Sequence, residues 1–114
     1  MAMFDNMLML LDSSTDVTSN VTGQAIDFHG EDTKELYYRI VVPKAPTSLE
    51  VAIEHSDDGS SWGLLVKSEA ITKAGEVILH ARSKKAFRRA NVTVSGNAGA
   101  LKIGAVPAGS SRKW

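Results

Sequence analysis

The chain has no cysteine among its 114 residues, which excludes disulfide staples and thiolate metal sites and suits synthesis in a reducing compartment. No stretch approaches the roughly 20 apolar residues of a membrane span. The apolar run Met7 to Leu11 follows an acidic residue, Asp5, whereas a secretory signal needs a basic start and a longer apolar core. The expectation is a protein that is intracellular when made and has no membrane partner. Net charge is also missing, with 13 basic and 13 acidic residues, and aromatics are few: Phe4, Phe28, Tyr37, Tyr38, Trp62, Phe87 and Trp114. Proteins that grip nucleic acid usually combine net positive charge with several stacking rings. Neither is present, so nucleic acid is not an expected partner. Helical periodicity is absent except that Phe4 to Leu11 reads either way, and there is no internal repeat.

What the chain does have is alternation. In Ser48 to Ser56, Leu49, Val51 and Ile53 face one way while Glu50 and Glu54 face the other, the pattern of a half-buried strand. Asp58-Gly59 supplies residues that tolerate positive φ, and Trp62 to Val66 can return antiparallel, so this region is a β-hairpin with one wet face. Further strands are expected at Gln24–Phe28, Leu36–Val42 (stopped by Pro43 and Pro46), Val77–His80, Phe87–Val94 and Ala100–Val106. Ser, Thr, Asn and Gly dominate residues 13–23, which read as extended or loop. The fold class expected is all-β: an antiparallel β-sandwich, jelly-roll-like, of seven to eight strands. Its parts are an N-terminal apolar strand or arm with a polar linker over 1–23, the sandwich over 24–106, and a tail over 107–114. One core should gather Leu49, Val51, Ile53, Val77, Leu79, Val92, Val94, Leu101 and Ile103.

Charge is unevenly spread. Residues 1–66 hold three basic and eleven acidic side chains, a net of −8, and residues 67–114 hold ten basic and two acidic, a net of +8. Either acidic and basic strands lie side by side in the sheets, or opposite faces meet different neighbours in an assembly.

Several motifs have ordinary readings. Gly59-Ser60-Ser61-Trp62-Gly63 matches the nucleophile elbow, but Leu64-Leu65-Val66 continues a hairpin where the elbow needs a helix, and the chain is too short for the sheet that carries it. No catalytic residue and no enzyme activity are expected. His29, His55 and His80 lack metal-ligand spacing, and Asp57-Asp58-Gly59-Ser60 lacks the alternating acids and final glutamate of a calcium loop. No metal and no cofactor are expected. The basic cluster Arg82-Ser83-Lys84-Lys85-Ala86-Phe87-Arg88-Arg89 reads as a salt-bridging strand edge. Asn20-Val21-Thr22 and Asn91-Val92-Thr93 read as strand sequence, not as glycosylation acceptors.

The stretch Arg88 to Val106, preceded by Ser56-Asp57-Asp58-Gly59-Ser60-Ser61-Trp62, resembles the small capsid cement proteins of tailed bacteriophages. The opening is similar to that family's start: Met7-Leu8-Met9-Leu10-Leu11-Asp12, a Ser/Thr stretch, then Ala25-Ile26-Asp27-Phe28 and Gly30. The likeness runs over most of residues 5–106. It implies a jelly-roll subunit, made in the host cytoplasm, that sits as a homotrimer on the outside of an icosahedral head and clamps neighbouring capsomers of the major capsid protein. The basic segment and the tail Ser110-Ser111-Arg112-Lys113-Trp114 depart from the family's pattern. The partner contacts expected are Arg82, Lys84, Lys85, Arg88, Arg89, Arg112, Lys113 and Trp114, with Phe4, Met7 and Met9 at the apolar start. The alternative is a carbohydrate-binding-like sandwich using Trp62 with Asp57 and Asp58.

Overall fold

The computed structural model describes residues 8–27, 36–83 and 85–107. Nine strands and no helix occur among them: β1 Leu8–Asp12, β2 Val21–Thr22, β3 Ile26–Asp27, β4 Leu36–Val42, β5 Ser48–Ser56, β6 Gly63–Lys67, β7 Gly75–Ala81, β8 Phe87–Ser95 and β9 Lys102–Pro107. They form two antiparallel sheets, ordered β1-β9-β4-β7 and β2-β8-β5-β6, with β3 also on β8. β2 and β3 follow one another along β8, from Val21 opposite Val92 to Asp27 opposite Phe87, and act as one broken edge strand. The sandwich thus has eight strand positions.

The pairing is nested: β1 with β9, β2/β3 with β8, β4 with β7 and β5 with β6. A long antiparallel hairpin rolled up on itself gives this order, which is the jelly roll. Closure of the roll is visible at Gly23. Its N–H donates to Ala90 O at 2.8 Å, and the next N–H, of Gln24, donates across to Leu10 O at 3.0 Å in the other sheet. A Cβ on Gly23 would run into that same Leu10 oxygen, so the crossing needs glycine.

Between the sheets Leu36, Tyr38, Ile40 and Val42 of β4 face Leu49, Val51 and Ile53 of β5, and Leu10, Ala90, Val92, Leu101, Ile103 and Ala105 complete the core. Six of the nine core residues expected from alternation are fully enclosed. Val77, Leu79 and Val94 are only partly buried, Val77 and Leu79 because β7 ends its sheet and has no strand on one side.

The structure places three segments more closely. β1 and β2 belong to the sheets, so among the described residues the sandwich takes in the expected apolar strand and part of the Ser/Thr-rich segment. Within the Ser/Thr-rich segment Val17 is buried and exchanges backbone hydrogen bonds with Gly99 and Ala98 at 2.8 and 3.0 Å. The basic segment is no sheet edge either, since β8 lies between β5 and β2/β3.

Candidate interaction surface

One end of the sandwich is built where the β5–β6 turn meets the connection from β7 to β8. Ser56 closes β5 with its side chain buried, and its Oγ accepts the N–H groups of Asp58 and Gly59 at 3.2 and 2.9 Å. Asp58 Oδ1 accepts the N–H groups of Ser61 and Ser60 at 2.9 and 2.8 Å, and the Ser56 hydroxyl at 3.0 Å. These donors favour the ionised carboxylate and hold its pKa down at about 2. Gly59 carries the positive φ of 79° that the turn requires.

Beneath this turn lies Arg88, wholly buried. Its Nε donates to Tyr38 Oη at 3.1 Å, Nη1 to the carbonyl oxygens of Lys85 and Phe87, and Nη2 to Ser83 O at 3.3 Å. Arg88 therefore ties the 83–87 segment to β4. Burial raises the Tyr38 phenol above its usual pKa, with the Arg88 charge opposing. His55 Nδ1 meets Ser83 Oγ at 2.6 Å, and Ser83 Oγ also accepts the Lys85 N–H at 3.1 Å. Burial first, then the charges of Lys85 and Arg88, lower the His55 pKa, with Asp57 opposing.

On the outer face of the β5/β8 sheet, Arg89 lies over Trp62, 4.2 Å from the ring centre, and donates to Glu54 at 2.7 Å. One face of the indole that a sugar would stack on is thus occupied. Other pairs lie along both sheets: Lys67 with Glu50 at 3.0 Å, Lys85 with Asp57 at 3.9 Å, Arg39 with Glu76, and Lys102 with Asp12.

Of the expected contact residues, Arg82 is exposed, while Met9, Lys85 and Arg89 are half-buried. Arg88 is a correction: its register with Ala90 and Val92 turns it inward, and no surface of the subunit carries it. Phe4, Met7, Lys84, Arg112, Lys113 and Trp114 lie outside the described residues, as do Phe28 and His29. Ser61 precedes strand β6 and not a helix, so the elbow geometry is absent. Among the described residues no group of three or more His, Asp or Glu could hold a metal ion. The arrangement that sequence reasoning missed is that of Ser56 and Ser83, both buried, with half-buried His55, at a strand end and its facing loop.

No family model matches the chain, and no curated protein matches it. Among solved structures it is similar to SPBc2 prophage-derived protein YomS, with a TM-score of 0.57 and 14% identity over 87% of this chain and 88% of that one. It is similar as well to PBSX exported protein XepA, with a TM-score of 0.57 and 14% identity over 100% of this chain. The chain spans 41% of XepA. At such identity the likeness is one of fold.

Proposed function

We propose that this chain is a structural protein of a phage particle, bound as a trimer to the outside of an icosahedral head, where it stabilises contacts between capsomers. The observation that carries the reading is the complete nested jelly roll, in a chain whose order of motifs resembles the cement proteins. Fold similarity to a prophage-derived protein supports it. A rigid sandwich suits the task, because three weak footings on one trimer act together once the first has bound. Buried Arg88 and the Arg89–Glu54–Trp62 stack are committed within the subunit. The footing is sought at Arg82, which is exposed, at Lys85, which is half-buried, and at the residues beyond 107. Sedimentation equilibrium should give three copies of the 12.2 kDa subunit. Truncation after Gly109, and separately Arg82→Ser with Lys85→Ser, should lower occupancy on purified heads. A monomer at micromolar concentration, or full occupancy by both variants, would count against the reading.

A further inference from the structure

Four strands form the sheet edges among the described residues, and three of them are interrupted. β1 shifts register between Met9 and Leu11, β6 carries the extra residue Leu65 opposite Ile53 and Glu54, and β2/β3 is broken at Gly23 to Ala25. Bulges and breaks of this kind are how sheets avoid joining edge to edge. β7 is different. It pairs with β4 without a shift over all seven residues, from Gly75 opposite Val42 to Ala81 opposite Leu36. Its sequence, Gly75-Glu76-Val77-Ile78-Leu79-His80-Ala81, has no proline and no lysine. Ile78 is 47% exposed, one of two large hydrophobic side chains left out in solvent among the described residues.

We propose that β7 is a seam between two copies of this chain, paired antiparallel about a two-fold axis at Ile78, so that two four-stranded sheets become one. The strand is self-complementary in that register. Val77 and Leu79 face the core and Glu76, Ile78 and His80 face outward, as their partners on β4 show. Turning β7 about Ile78 sets Ile78 against its copy and sets Glu76, which pairs with Arg39 in its own subunit, against His80 of the second copy, which stacks on Tyr37 in its own subunit, so each acid–imidazole contact adds to a partner already made. On the inner face it sets Val77 against Leu79, extending the core over two side chains that the single chain leaves partly uncovered. Gly75 meets Ala81, small against small. Cross-strand pairs of these kinds are favourable, and every one of the seven positions is matched. A two-fold contact cannot close a ring of three. The seam thus goes beyond the trimer reading: it is the weaker of the two contacts, so the trimer is the species free in solution at micromolar concentration, and on a head the seam would join one trimer to the next.

The absence of cysteine makes the test direct. Facing Cα atoms in an antiparallel pair lie about 4.5–5.5 Å apart, within the span of a disulfide. Ile78→Cys should oxidise to a covalent dimer at least about ten-fold faster than Leu64→Cys, because the seam holds the two thiols at high effective concentration. Leu64 is the stricter control since it is the more exposed, at 61%, on the bulged edge β6. A mixture of Glu76→Cys and His80→Cys should crosslink between variants, while each alone remains monomeric on a denaturing gel. Ile78→Cys no faster than Leu64→Cys, or no preference in the mixture, would overturn the seam. Head binding is read separately by co-sedimentation, so failure of one leaves the other standing.

Discussion

Arg88 shows how much one residue can decide in this fold. Truncating it to alanine would leave the Tyr38 hydroxyl and the carbonyl oxygens of Ser83, Lys85 and Phe87 without this donor inside the protein. Each buried polar group stranded in this way costs about 1–3 kcal/mol. Arg88→Ala should therefore lower unfolding free energy by on the order of 3 kcal/mol or more in a urea titration; a loss under about 1 kcal/mol would show that water replaces the guanidinium. Two titrations add signs. The Tyr38 pKa is raised in the fold, so above pH 10.0 the unfolded chain sheds its proton first and stability falls with rising pH. Tyr38→Phe should remove that alkaline slope in thermal melts. Asp58 is depressed from 3.8 to about 2, so its contribution is present above 3.8 and is lost as pH falls through that window. Asp58→Asn should flatten the acid limb of the melting profile between those values, and an unchanged limb would place the acid sensitivity elsewhere. The burial of Arg88 was legible in part: Arg88, Ala90 and Val92 share one parity on β8. Reading the segment by charge instead of register put the residue on the surface. Nothing local marks Ser83 and His55 as partners, because a loop 28 residues away along the chain brings them together.

At the scale of elements, the strands with strong alternation or apolar runs were readable, and β4 coincides with Leu36–Val42 as the sequence reading has it. β5 and β6 form the expected hairpin, with a bulge at Leu65 that the pattern does not reveal. β2 and β3 are two residues each, too short for any period to appear, and they exist because β8 offers them a ladder. Turn chemistry shows the same split. Gly96 follows β8 with a φ of 90°, and a Cβ there would stand 2.8 Å from Thr47 N. Gly96→Ala should cost about 1–3 kcal/mol from the left-handed backbone alone, read as a drop in melting temperature. Ile53, wholly buried between the sheets, is the stringent test of register. Ile53→Asp should abolish the folded NMR spectrum, whereas wild-type dispersion would mean that β5 turns the other face inward.

For the whole molecule, the rolled hairpin explains the charge asymmetry. Nesting lays strands from the first half of the chain against strands from the second, so Glu54–Arg89, Glu50–Lys67, Asp12–Lys102, Asp57–Lys85 and Arg39–Glu76 each join the two halves. Four of these pairs set an acid of the first half against a base of the second, so part of the −8 and +8 is met within the subunit. Exposed pairs of this sort contribute under about 1 kcal/mol apiece and are screened by salt. They settle the register more than they hold the fold, and they leave less unbalanced charge for a partner than the linear sequence indicates. Which strands would be neighbours was not legible in the chain, since pairing between β1 and β9 is a property of the finished roll. Function is read at this same scale, from the rolled sandwich as a whole. The measurement that tests it most directly is co-sedimentation of the purified protein with phage heads stripped of their outer proteins. The account predicts saturable binding, with copies added in multiples of three per site and higher thermal resistance of the decorated heads. Protein that stays in the supernatant at an excess of heads, with head stability unchanged, would contradict it.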